Sequence, residues 1–292
     1  MRPDERLGPK FLLYHDVAAA AGGDEARAQE GFRAHLGHLR HLGYRFVPMS
    51  VFIAGERLGP RDAIVTFDDG ARSFLTCAMP VLRELRVPVT VFLPTDLMGR
   101  SDGSTQILSW EEAAQLAAEG VEFGAHGARH VPLDQVVSDR MRWEVEKATA
   151  DMFEHGFRPT VFAYRFGGFN GAAKVAVRRA GYKAAFTELR GGFDRFEIRR
   201  RVFTGLEGAL ATRVVMNDRF FSVREAARKP VPRRVRDEEL VVPEDRWGPQ
   251  RFKLEDEGHG AVAEEVLVGA DVEEPAAETG LDELGNLPEG GA

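Results

Sequence analysis

The sequence predicts an α/β fold, a distorted (β/α) barrel of parallel strands. Three observations point to it. Short apolar runs recur through roughly the first 225 residues, amphipathic helix-like segments separate most of them, and no glycine-rich dinucleotide fingerprint occurs. Continuous rather than alternating apolar runs mark strands covered on both faces, and their alternation with helices marks parallel pairing. Six or more such units without the fingerprint favour a barrel over an open doubly wound sheet.

In chain order, FLLY (11–14) is the first strand. GFRAHLGHLRHLGY (31–44) reads as a helix with Phe32, Leu36 and Leu39 on one face and Gly43 as its stop. His35, His38 and His41 step around that helix and read as solvated side chains. AIVTF (63–67) is the second strand, followed at once by Asp68, Asp69 and Gly70. Cys77 lies in SFLTCAMPVL, a helix-like apolar stretch, and reads as a small packing residue. VPVTVFL (87–93), VEFGA (121–125), TVFAY (160–164) and YKAAF (182–186) are further strands, with WEEAAQLAAEG (110–120) a helix between two of them.

Beyond residue 225 the composition changes. RKPVPRRVRDEE is dense in proline and charge, and from Asp256 to Ala292 there is no Lys, Arg or aromatic residue. Such a segment has too little apolar surface to offset the entropy of ordering. The expected organisation is one folded domain over 1–225 and a charged, largely disordered tail over 226–292.

The 292 residues are 43% hydrophobic and 29% charged, with a formal net charge of -7. This acidic balance gives no support for nucleic-acid binding, which needs a basic face. The single cysteine excludes an intramolecular disulfide and suits a reducing compartment. MRPDERLGPK lacks the apolar stretch of a signal peptide, and no run approaches the roughly 20 apolar residues of a membrane span. The expected location is cytoplasmic.

Polar residues follow the apolar runs: His15 and Asp16, Asp68 and Asp69, Pro94 and Thr95, His126 with His130, Arg165, and Thr187. In a β/α barrel the loops after the strands line one face, so topology alone gathers these side chains. Two adjacent carboxylates at the rim of a core repel each other and lose hydration. An Asp-Gly turn is one explanation. A cation held by one carboxylate, with the other free for chemistry, is the alternative. GAHGARH places His126 and His130 at i and i+4, which on a helical turn puts both imidazoles on one side. One carboxylate and two imidazoles leave coordination positions open for water and substrate, as catalytic zinc or iron sites require.

These residues resemble the polysaccharide deacetylases, the NodB-homology or carbohydrate esterase family 4 group, from about residue 10 to 205. TFDDG (66–70) is similar to the family's first motif, AHGARH (125–130) to its His-x-x-x-His metal motif, and FAYRFGGFN (162–170) to its third. LLYHDV adds a resemblance to the branch that includes bacterial poly-N-acetylglucosamine deacetylases, where the catalytic histidine comes from the N-terminal strand. No histidine lies between His155 and His259, which leaves that role to His15. The resemblance implies a NodB-type barrel and hydrolysis of an N-acetyl amide on an amino sugar in a glycan or glycan precursor. It implies Asp68 as base, His15 as acid, and a divalent metal, expected to be zinc, on Asp69, His126 and His130. It places the oxyanion and substrate contacts near Phe166, Arg165 and Tyr164. Arg165 departs from the family pattern, which has proline there, and Gly127 replaces a Ser or Thr. The arginine that orients the base in many relatives is absent at Ala163, and Arg200 is the candidate replacement. Two other readings stay open, a hydrolase of a small non-sugar amide and a catalytically impaired glycan-binding homologue.

Overall fold

The computed structural model describes residues 8–188, 191 and 194–218. The tail expected over 226–292, and the boundary near 225, lie outside the described residues. β1 (Lys10–Tyr14) is buried throughout and runs parallel to β3 (Asp62–Phe67), in register from Lys10 opposite Ala63 to Tyr14 opposite Phe67. Beyond β3 the sheet continues through β4 (Val89–Leu93), β7 (Glu122–Ala125), β8 (Val161–Ala163), β9 (Ala184–Thr187) and β10 (Ile198–Arg199). On the other side, β11 (Arg201–Val202) pairs with β1, while β2 (Arg45–Phe46) pairs with the start of β3. Every pairing in this sheet is parallel.

The two outer strands, β10 and β11, are consecutive in the chain and separated only by Arg200. The chain therefore steps from one edge of the sheet to the other within a single residue, and the barrel is nearly closed. An antiparallel hairpin, β5 (Ser101–Asp102) and β6 (Thr105–Gln106), projects after β4.

Helices cover the outside: α1 (Val17–Ala20), α2 (Glu25–His41), α3 (Met49–Ile53), α4 (Met79–Leu85), α5 (Trp110–Ala118), α6 (Ser138–Glu154), α7 (Gly171–Arg179) and α8 (Ala209–Met216). The Asp24 side chain caps α2 by accepting from Arg27 N at 3.0 Å, and Gly43 just past its end has φ 83°. A capping box of Ser109 and Glu112 opens α5, satisfying two otherwise orphaned N–H groups. Cys77 is buried in the core, in a π-helical turn (Phe74–Ala78) that leads into α4. Pro80 lies just beyond it, where a missing N–H removes a helical hydrogen bond. Among the described residues no helix is long and apolar enough to cross a membrane.

Period-two alternation divides each wall strand. Leu12, Tyr14, Ala63, Val65 and Phe67 face outward and pack with Phe32, Leu36 and Leu39 of α2. Phe11, Ile64, Phe92, Val161, Ala163, Ala184 and Phe186 face inward and fill the barrel. The inward set continues past the strand ends and determines which polar residues point into the barrel.

His35 corrects the sequence reading of a solvated side chain. It lies on the same helix face as Phe32 and Leu39, at i+3 and i+4 spacing, and α8 covers it, so it is fully buried. Tyr14 Oη donates to its Nε2 at 2.9 Å, its Nδ1 donates to Thr212 Oγ1 at 3.1 Å, and Thr212 donates to the Glu207 carbonyl at 3.3 Å. Burial, opposed by the Glu207 carboxylate, pushes the imidazole down to about 4.

Candidate active site

Asp68 and Asp69 are neighbours with different surroundings. Asp68 continues the inward alternation of Ile64 and Thr66, and its side chain is buried. Arg200, fully buried at the barrel seam, grips it with two guanidinium nitrogens at 2.6 and 2.5 Å and also donates to Thr66 Oγ1 at 3.1 Å. The guanidinium carbon lies 5.3 Å from the Phe92 ring centroid and 5.9 Å from that of Phe186, so Arg200 closes the top of the apolar interior. Burial opposes ionisation of Asp68, but the Arg200 charge outweighs it and holds the carboxyl below the usual range. Asp69, with φ 70°, turns out of the strand onto the rim.

There it meets the two histidines. Asp69 Oδ1 lies 3.4 Å from His126 Nε2 and 2.7 Å from His130 Nε2, and the three ligating atoms fall within 4.8 Å of one another. The sequence reading of a helical turn needs correction. Residues 126–130 form an irregular loop with left-handed backbone at Gly127 (φ 81°) and His130 (φ 60°), yet the imidazole centroids are only 4.9 Å apart. Buried Glu144 of α6 holds this loop, accepting from Ala128 N at 3.0 Å and Arg129 N at 2.7 Å.

The donor set fits a cation. His126 Nδ1 is 2.7 Å from the Ala163 carbonyl, which can only accept, so Nδ1 carries the hydrogen and a neutral ring presents its Nε2 lone pair to Asp69. His130 Nδ1 is 2.7 Å from Asp102 Oδ2 of the β5–β6 hairpin, with the same consequence. His130 Nε2 is buried and makes no hydrogen bond, although Asp69 stands beside it. Two lone pairs and a carboxylate converging on one place are what a divalent ion satisfies.

His15 continues the inward series of Phe11 and Leu13, and the β1–β3 register sets it beside Asp68, whose N–H donates to the Tyr14 carbonyl at 3.0 Å. Charge interactions link His15 to Asp68 and to Glu188. Arg165 and Phe166 occupy a single 3-10 turn (Arg165–Gly167) after β8, where Phe166 has φ 52° and is 56% exposed. The Arg165 guanidinium donates to the His130 carbonyl and sits 4.5 Å from the Phe166 ring centroid. Its charge therefore serves the histidine loop rather than Asp68. Tyr164 is a correction: its ring is fully buried against Phe162 and Phe169, and its hydroxyl donates to the Phe196 carbonyl at 3.1 Å, so it packs beneath the turn and cannot line a substrate cleft.

Two neighbours escaped the sequence reading. Glu188 extends the inward alternation of Ala184 and Phe186, and that period was the available signal. Burial, reinforced by the Asp68 charge, pushes its carboxyl up. Asp102 had no signal, because nothing in SDGSTQ tells where a two-residue hairpin will aim.

A nearly closed parallel barrel carries one Asp gripped by Arg inside it and an Asp-His-His set on its rim, an arrangement suited to hydrolysis of carbon–nitrogen bonds other than peptide bonds. Residues 55–185 match the family model for polysaccharide deacetylase. YxkH of Bacillus subtilis, named for the same family, is 24% identical over 212 residues, covering 68% of this chain and 73% of its own. IcaB from Ammonifex degensii superposes with a TM-score of 0.60 at 26% identity, covering 72% of this chain and 98% of that one. The Streptococcus pyogenes deacetylase PplD, solved in complex with acetate, gives a TM-score of 0.62 at 20% identity with the same coverages of 72% and 98%. The matched span stops short of both His15 and Arg200.

Proposed function

We propose that the chain hydrolyses an N-acetyl amide on an amino sugar of a glycan or glycan precursor, with Asp69, His126 and His130 holding one divalent ion, zinc in our reading. Bound there, such an ion would polarise the acetyl carbonyl and lower the pKa of a water. Asp68 accepts a proton from the attacking water, and Arg200 keeps that carboxylate ionised and oriented. The Phe166 N–H, set on the left-handed turn at the rim, is the chain's own donor to the developing oxyanion. His15 donates a proton to the departing nitrogen, so that the C–N bond breaks to give acetate and a free amine.

The observation that carries the reading is the separation of the aspartates, one gripped by Arg200 inside the barrel and the other joined to two imidazoles. A glycan-binding homologue without activity has no use for this division. The test is acetate release by purified chain, loaded with zinc, from N-acetylglucosamine oligomers and from small non-sugar amides. Turnover of the oligomers and none of the amides is expected. Turnover of the amides alone makes it a hydrolase of another substrate class, and neither makes it a binding protein.

A further inference from the structure

His126 and His130 are oriented by unlike partners. His126 rests on the Ala163 carbonyl, part of a barrel strand. His130 lies in an irregular loop beyond β7, and the acceptor for its Nδ1–H is the Asp102 carboxylate at 2.7 Å. We propose that Asp102 is a positioning residue of the metal site. It fixes the His130 tautomer, stops the ring turning, and raises the basicity of Nε2. The inference rests on the metal reading given above.

Three features carry it. A charged acceptor makes a hydrogen bond roughly twice as strong as a neutral one and pushes electron density toward the ligating nitrogen. The hairpin is also built as a fixed arm. Its strands pair Ser101 with Gln106, Arg72 N donates to the Gln106 carbonyl at 2.7 Å, and Leu108 N donates to the Gly70 carbonyl at 2.9 Å. The segment bearing Asp102 is thereby tied to the turn that begins with Asp69, so one piece of backbone sets both carboxylates relative to the same ion. The third feature is Arg165, which donates to the His130 carbonyl and so holds the backbone of the residue whose ring Asp102 holds. Together they hold His130 at its ring and at its carbonyl.

The test is zinc affinity of the full chain, measured by competition with a chromophoric chelator, for the wild type, Asp102→Ala and Asp102→Asn. Removing such an outer partner typically weakens metal binding about 10–100-fold. Asp102→Ala should bind one zinc with that loss, and Asp102→Asn, which keeps an acceptor without its charge, should fall between. The Asp102 side chain is 39% exposed, so water can replace its carboxylate at His130 Nδ1 and the metal-free unfolding midpoint in EDTA should move little. Equal zinc affinity in wild type and Asp102→Ala overturns the inference while leaving the metal reading intact. A lowered midpoint in EDTA with unchanged affinity also overturns it, making Asp102 a structural residue. A wild-type chain that binds no zinc overturns the metal reading and this inference with it.

Discussion

Asp68 and Asp69 share a peptide bond, and their separate surroundings give separate mutational outcomes. Asp68→Asn removes the base and keeps the ligand set, so turnover should fall by at least about 100-fold while zinc stoichiometry holds. Asp69→Asn should lose both, and metal analysis beside acetate release distinguishes the two variants. Equal zinc loss in both would merge the roles. Arg200→Met leaves Asp68 buried without its counter-charge; breaking a buried pair from one side costs about 3–5 kcal/mol, which urea unfolding at neutral pH would register. The Asp pair and the two histidines were legible because strand-end placement and ligand type are sequence properties. The partner of Asp68 was only a weak inference, since an arginine 132 positions away in the chain meets it solely through barrel closure.

At the scale of elements, the α2–β1–α8 contact carries a pH-dependent term. His35 is held near 4 when folded, against about 6.5 when unfolded, so the unfolded chain binds more protons between those values. Stability therefore rises with pH across that window and is lost as pH falls from about 6.5 toward 4, by up to about 3 kcal/mol for this group. Unfolding free energies at pH 7 and 5 should show the fall, and His35→Gln should flatten it; the same slope in both proteins would assign the effect elsewhere. β7 tests a different kind of packing. A Cβ on Gly124 would stand 2.5 Å from the Phe92 ring and 2.8 Å from the Val161 carbonyl, a backbone atom that cannot yield. Gly124→Ala should cost about 1–3 kcal/mol, read as a lower unfolding midpoint. The strands were legible as apolar runs, with ends that differ by one or two residues. His35 was misread because it shares the core face of α2 with Phe32 and Leu39 and is also covered by α8, an element far along the chain. The His126–His130 loop was misread as helical because i, i+4 spacing does not distinguish a helical turn from a loop with two left-handed residues.

For the whole molecule, parallel topology delivers the site, since every inward series ends on one rim and the seam residue Arg200 joins the two sheet edges. The barrel was legible from the number of strand–helix units, but the strands that close it were not: β10 and β11 are two residues each, too short to leave a periodic signal. The ligands come from the end of β3 and the loop after β7, with β4 between them, so a bound ion would tie separate parts of the wall together. Free zinc at 100 times its dissociation constant should then stabilise the fold by about 2.7 kcal/mol, seen as a raised unfolding midpoint that EDTA reverses. The most direct measurement is the anomalous diffraction of crystals grown with zinc, recorded at the zinc edge. The expected result is one strong peak about 2.0–2.2 Å from a carboxylate oxygen of Asp69 and from the Nε2 atoms of His126 and His130, with Asp68 still on Arg200 and outside the coordination shell. A peak held by other residues, or one that takes Asp68 as a ligand in place of Asp69, would contradict it.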